Sequence, residues 1–285
     1  MDEKDGTIGR RTFLKTVAAS TAATAISPGL LHAGNDKAGS LRVWSCGGLA
    51  EAFIKVNENF ERKTGTKIAY TGAFAAALGK SLLGNAVTDV FAGRVLALSK
   101  KLRGAGKMEY FRPLCFTEYV IITPLGNPAG VNSVEDLARP GLPVILSPGA
   151  SPPGGDAVRA ILKKSGHEEA ILANLIMRES CVIKMMPKVI NGTAKASIVE
   201  RRLTCMPEFQ GKVEVHPIPE ELFPPGPLTF TIGVMKHAEN RALADDYVGF
   251  VCSDDSQAIF RKQGFIPAVS EKGRELVKKL GVIDA

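Results

Sequence analysis

Leu41-Arg42-Val43-Trp44-Ser45-Cys46-Gly47-Gly48-Leu49-Ala50-Glu51-Ala52-Phe53 is the stretch on which the fold of this chain turns. An apolar-leaning run of strand length meets two glycines. An apolar series at helical spacing (Leu49, Phe53, Val56, Phe60) begins at once. A strand, a tight glycine turn and a helix in that order aim backbone N–H groups beyond the strand end, where a small ligand can sit. The same grammar recurs downstream. Gly65 to Thr71 reads as a second strand, and the segment from Gly72 through Phe74 and Ala75 to Leu78 opens a helix carrying Leu78, Leu82 and Leu83. Thr88 to Ala92 reads as a buried third strand with Asp89 near its start, and Glu118 to Thr123 and Pro143 to Ser147 are further β-rich runs. Ser151-Pro152-Pro153-Gly154-Gly155-Asp156 then leads into a helix from Ala157 to Lys164, a second junction of the same sense. Strands alternating with helices predict an α/β architecture with parallel sheets. Two such junctions invite a ligand cleft between two lobes.

The remainder fits that frame. Ser133 and Asp136 have capping-box spacing at a short helix start. A helix spans Ile183 to Ile190, with Pro187 inside it as a weakness. Residues 194–202 read as a short buried strand with a charged far end, and Pro224-Pro225-Gly226-Pro227 as a rigid connector. A strand at Thr229 to Val234 and helices around Arg241 to Cys252 and Asp255 to Lys262 complete the pattern.

With 285 residues, 45% of them hydrophobic and 23% charged, the chain has the composition of a globular protein long enough for two lobes. The net charge of +7 is spread along the sequence. It forms no basic stripe with interleaved aromatics, which argues against a nucleic-acid partner. None of the five cysteines forms a Cys-x-x-Cys pair, so zinc-ribbon and thioredoxin signatures are absent, and the odd count leaves at least one thiol unpaired in a monomer. Cys181 and Cys205 are the pair open to bridging after export. His167, His216 and His237 read as scattered and loop-borne, without ligand spacing. Nothing around Cys46 forms a thiol-hydrolase motif with His216 or His237, so the chain reads as a binder rather than an enzyme, with no cofactor.

Residues 1–33 read as a signal peptide. Gly9-Arg10-Arg11-Thr12-Phe13-Leu14-Lys15 precedes an uncharged run from Thr16 to Ile26, and Leu31-His32-Ala33 supplies a cleavage site before Gly34. The paired arginines resemble the twin-arginine export signal, which places the mature chain in the periplasm or otherwise outside the cytoplasm.

Taken together, Val43-Trp44-Ser45-Cys46-Gly47-Gly48-Leu49, Thr88-Asp89-Val90-Phe91, Pro152-Pro153-Gly154 and Lys262-Gln263-Gly264-Phe265 resemble, in order and spacing, the molybdate-binding solute-binding proteins of ABC importers, over residues 41–268. The resemblance implies a type II periplasmic binding protein-like fold. In it, two Rossmann-like α/β lobes joined by two crossover strands close on a ligand by a hinge. Lobe I would comprise residues 41–124 plus 228–285, and lobe II residues 125–227. The implied partners are a small inorganic ligand and the membrane permease of an importer, with the binding protein itself a monomer. The resemblance also implies ligand contacts through hydroxyls and N–H groups near Gly48, Ala75, Pro153, Val182 and Glu200. Ser45, Cys46, Gly47, Thr71, Phe74, Gly154 and Arg201 complete the candidate set.

This chain departs from the family at those positions. Gly48 and Ala75 stand where serine is usual, Pro153 has no N–H, and Glu200 replaces a tyrosine with a group that only accepts hydrogen bonds when ionised. The ligand class therefore stays open between an oxyanion and, as the alternative, a transition-metal ion or another small solute. A molybdate- or tungstate-type oxyanion would be captured in plane by Arg201 or Arg202. A transition-metal cation would instead use Cys46 and Glu200. An exported ligand sensor would use the same clamp.

Overall fold

The computed structural model describes residues 39–150, 153–179, 181–223 and 228–284. Residues 1–33, expected from sequence to form an export signal, Ser151 and Pro152, and the expected connector Pro224 to Pro227 lie outside the described residues. In chain order the strands and helices are β1 (Ser40–Cys46), α1 (Ala50–Thr64), β2 (Lys67–Ala73), α2 (Ala75–Leu83), β3 (Val90–Arg94), α3 (Leu96–Gly104), β4 (Met108–Thr117) and β5 (Tyr119–Pro124). They continue as β6 (Val144–Leu146), α4 (Gly154–Ser165), α5 (Glu168–Ala173), β7 (Leu175–Arg178), α6 (Met185–Ile190), β8 (Ser197–Glu200), α7 (Arg201–Thr204) and β9 (Val213–Pro217). The last are β10 (Thr229–Met235), α8 (Arg241–Val251), α9 (Asp254–Lys262), β11 (Phe265–Pro267) and α10 (Glu271–Leu280).

The opening stretch folds as read. Leu41 and Val43 of β1 and Leu49, Phe53, Val56 and Phe60 along α1 are all buried in one core. Phe53 stacks on Tyr70 at 5.9 Å between ring centroids and meets Phe260 of α9 edge-on at 5.6 Å. The first sheet runs β11-β4-β10-β3-β1-β2. Its β1, β2 and β3 are parallel, whereas β10 and β11 join antiparallel. The sheet is therefore mixed, not parallel throughout. The late strand β10 returns from the far half of the chain and enters in the opposite direction between β3 and β4.

The second sheet is built from β8-β5-β9 and the parallel pair β6-β7. A bridge from Val144 to Ala196, with Ile145 N–H donating to the Ala196 carbonyl at 3.2 Å, ties the two pieces together. Residues 119–124, assigned from sequence to the first lobe, belong here: Tyr119 pairs with Glu200 and Ile121 with His216. The chain thus changes sheets at Glu118, not at residue 124. The reason is burial. Ile121 faces one core while Val120 and Ile122 face another, so the run has no polar side to reveal which sheet it joins. His216 likewise lies within β9, not in a loop, with Nε2 at 3.2 Å from Thr123 Oγ1. Pro187 falls in the first turn of α6, where a missing N–H breaks no helical bond, so the helix tolerates it.

The expected capping pair forms around Asp136, whose carboxylate accepts from the N–H groups of Asn132 and Ser133 while its own N–H donates to Ser133 Oγ. All five cysteines are thiols, and Cys181 and Cys205 are not bridged. Among the described residues no helix is long and apolar enough to cross a membrane.

Asp89 locks the head of β3. Its carboxylate accepts from the Arg42 N–H at 2.8 Å, from the Arg42 guanidinium at 3.2 and 2.9 Å, and from the Glu239 N–H at 2.9 Å. Burial works to raise its pKa, but these donors outweigh it and hold the carboxyl below the usual range. Asp89→Ala would strand them and is expected to cost about 2 kcal/mol, read as a lowered urea midpoint at constant slope.

Candidate functional site

The glycine turn after β1 sits at the seam between the two sheets, and charged residues from both converge on it. Arg94, at the end of β3, donates from Nη1 to Glu200 Oε1 at 2.7 Å and from Nη2 to the Tyr119 hydroxyl at 3.1 Å. Its guanidinium also lies 5.3 Å from the centroid of the Phe230 ring. Glu200, the last residue of β8, accepts from Arg202 Nε through its other oxygen at 2.7 Å. One buried carboxylate therefore bridges a guanidinium on the first sheet and one on the helix that follows the second.

Gly48 completes the contact. A Cβ at that position would lie 3.5 Å from Arg202 Nε and 3.8 Å from its Nη2, so the guanidinium occupies the space beside the turn. Among the described residues, no protein group takes a hydrogen bond from the Arg202 terminal amino groups. On the other side Gly264, with φ at +80°, lets the β11 turn come against the Arg202 main chain. A Cβ there would stand 2.9 Å from Arg202 Cα and 3.0 Å from Cys205 Sγ.

The charge states follow from the surroundings. Burial alone would raise the Glu200 carboxyl, but Arg94 and Arg202 overcome it and pull its pKa down to about 2. Glu200 in turn raises the Arg94 guanidinium against the opposing effect of burial. Burial pushes the Cys46 thiol up, despite the Gly48 N–H facing its sulfur and the nearby Arg94 and Arg202. Burial, then the Glu200 charge, raises the Tyr119 phenol. At neutral pH the cluster thus holds two guanidinium cations, one carboxylate, a neutral thiol and a neutral phenol, with a net charge of about +1.

Of the residues expected from sequence, Cys46, Gly48, Glu200 and Arg202 belong to this cluster. Ser45 does not offer its hydroxyl: it is buried, donates to the Cys46 carbonyl at 3.1 Å and lies 2.6 Å from the Tyr70 hydroxyl. Gly47 packs toward Ala73, whose carbonyl would be 3.6 Å from an added Cβ. Arg201 turns outward, half exposed, and pairs with Glu118 at 3.0 Å. Thr71 is exposed on the edge strand β2, Phe74 is 73% exposed just before α2, and Ala75 is buried at the first position of that helix. Pro153 and Gly154 form the entry to α4, where the loop closes so tightly that a Cβ on Gly155 would meet the Ala150 carbonyl at 2.4 Å. Val182 opens a short 3-10 turn before α6, half-buried.

Sequence reasoning missed Arg94 and Tyr119. A cation directly after the buried run Val90 to Gly93 is the signal that could have found the first, because a charge at that depth needs a partner. Among the described residues no group of three or more His, Cys, Asp or Glu side chains is placed to hold a metal ion.

The family described as bacterial extracellular solute-binding protein matches residues 41–266. The chain is 30% identical over 239 residues to the molybdate-binding protein ModA of Mycobacterium tuberculosis, covering 79% of this chain and 84% of that protein. The periplasmic molybdate-binding protein of Azotobacter vinelandii has a similar fold, with a TM-score of 0.64 at 16% identity, over 79% of this chain and 98% of that one. So does iron-bound HitA from Pseudomonas aeruginosa, with a TM-score of 0.62 at 17% identity, over 80% of this chain and 86% of that one. These likenesses establish the two-lobed type II periplasmic binding protein fold, which hosts more than one ligand chemistry.

Proposed function

The chain belongs to the bacterial extracellular solute-binding proteins and is ModA-like, and from that premise we propose that it captures a small oxyanion of the molybdate or tungstate type outside the cytoplasm. It hands that ligand to the permease of an ABC importer. It works as a monomer that performs no chemistry on its cargo and is exported by the twin-arginine signal within residues 1–33.

One observation carries the ligand class: a cluster of net positive charge, with Arg202 beside the Gly47-Gly48 turn, at the seam between the two sheets. Charge-assisted N–H groups suit an anion with several acceptor oxygens. The cluster speaks against a cation in the same place. Each Glu200 oxygen already accepts from a guanidinium, and Cys46 is a neutral thiol that would have to lose its proton to bind a metal.

Thermal melting of the purified chain against sodium molybdate, tungstate, sulfate and phosphate, with zinc and ferric salts alongside, tests this reading. An oxyanion present at about a hundred times its dissociation constant should add ~2.7 kcal/mol and raise the midpoint by several degrees. A raised midpoint with a metal salt alone would refute it.

A further inference from the structure

We infer that Arg202 is the residue that grips the oxyanion, through two oxygens on one edge, and that Glu200 acts as its positioning residue and not as a ligand contact. The inference rests on the oxyanion reading above and deepens it. Gly48 carries no side chain, and the space beside the turn is taken by the Arg202 guanidinium. Its Nε is committed to Glu200 at 2.7 Å. Its terminal amino groups are without a protein partner among the described residues, and Nη2 lies 3.8 Å from where a Gly48 Cβ would stand. The side chain is 14% exposed, open enough to meet a ligand and otherwise walled in. A guanidinium offers parallel N–H groups in one plane, which matches two oxygens of a tetrahedral or planar oxyanion and not a single-atom halide.

Glu200 plays the other part. Each of its oxygens accepts from a guanidinium, Oε1 from Arg94 and Oε2 from Arg202, and the residue is buried, so its carboxylate faces the two arginines. It fixes the Arg202 fork from behind. Because it also bonds Arg94 of the first sheet, the same carboxylate ties the fork to both sheets. Arg201, adjacent in sequence, takes no part: it points outward to Glu118.

The test is titration calorimetry with sodium molybdate and sodium sulfate on the parent chain and on Arg202→Ala, Arg202→Lys, Arg201→Ala and Glu200→Gln, each first checked for cooperative melting. Arg202→Ala should lose at least about tenfold in affinity, the worth of one charge-assisted hydrogen bond. Arg202→Lys, which keeps the charge and loses the fork, should fall nearly as far. Arg201→Ala should bind like the parent. Glu200→Gln keeps an acceptor behind Arg202 but removes a like charge, so it should bind the dianions about threefold or more tightly even while the free protein melts lower. A residue that served only the fold would not give opposite signs in stability and affinity.

Parent-like affinity in Arg202→Ala or Arg202→Lys overturns the inference and leaves the oxyanion reading standing. Loss of binding in Glu200→Gln as deep as in Arg202→Ala also overturns it, because an acceptor kept behind Arg202 and a negative charge removed should not weaken the hold on a dianion. If the parent binds neither oxyanion and binds zinc or ferric ion instead, both readings fall together.

Discussion

Glu200→Ala is expected to lower the free energy of unfolding by about 3–5 kcal/mol, because it leaves the Arg94 guanidinium buried without its counter-ion. Arg94 is 6% exposed, and the Glu200 bridge at 2.7 Å brings a carboxylate charge among the contacts that offset the cost of burying it. The pH dependence has a defined sign. The folded carboxyl has a pKa of about 2, below its unfolded value of ~4.3, so the unfolded chain takes up the proton first as the solution is acidified. The stabilisation, roughly 3 kcal/mol by linkage, is complete above the unfolded pKa and is lost as pH falls through about 2. Denaturation curves of parent and variant should therefore differ by a constant amount near neutrality and converge in acid. A variant as stable as the parent at neutral pH would show that the bridge adds nothing to the fold.

Gly264→Ala should cost about 3 kcal/mol, and its effect should reach the ligand. An alanine at φ of +80° carries ~1–2 kcal/mol of left-handed strain. Its methyl would stand 2.9 Å from Arg202 Cα and 3.0 Å from Arg202 N, which adds ~1–3 kcal/mol of overpacking. The atoms that must move carry the proposed anion grip, so the oxyanion-induced rise in melting midpoint should shrink as well. Gly281→Ala is the internal control: it has a φ of +61° and nothing within 4 Å of the added methyl. That variant should show the strain alone and an unaltered ligand response. Equal losses in the two variants would mean that the approach of the β11 turn to α7 has no energetic weight.

A buried ion cluster is a weak source of stability compared with apolar packing of the same volume, so its use here is better explained by what it can hold than by what it adds to folding. The exposed pairs elsewhere, such as Lys55 with Glu58 and Arg241 with Asp245, follow helix spacing and need no such explanation.

Local pattern determined much of this protein by itself. The β1–α1 junction, the buried series Leu49, Phe53, Val56 and Phe60, and the Asp136 cap follow from period and turn chemistry among neighbours in sequence. The resemblance to solute-binding proteins rested on the order of such local pieces, and the family match over residues 41–266 agrees with it. Long-range pairing decided the rest. Residues 119–124 are apolar on both faces, so only their bonds to β8 and β9 assign them to the second sheet. Arg201 and Arg202 are adjacent and chemically identical, yet the turn of one short helix sends the first to solvent and the second to Gly48. Arg94 and Glu200 are 106 residues apart and meet only because two separate sheets place their strand ends at one seam. A charge signals in sequence that it needs a partner, but its partner is chosen by the fold, because the free energy of burying it depends on what lies within a few ångströms.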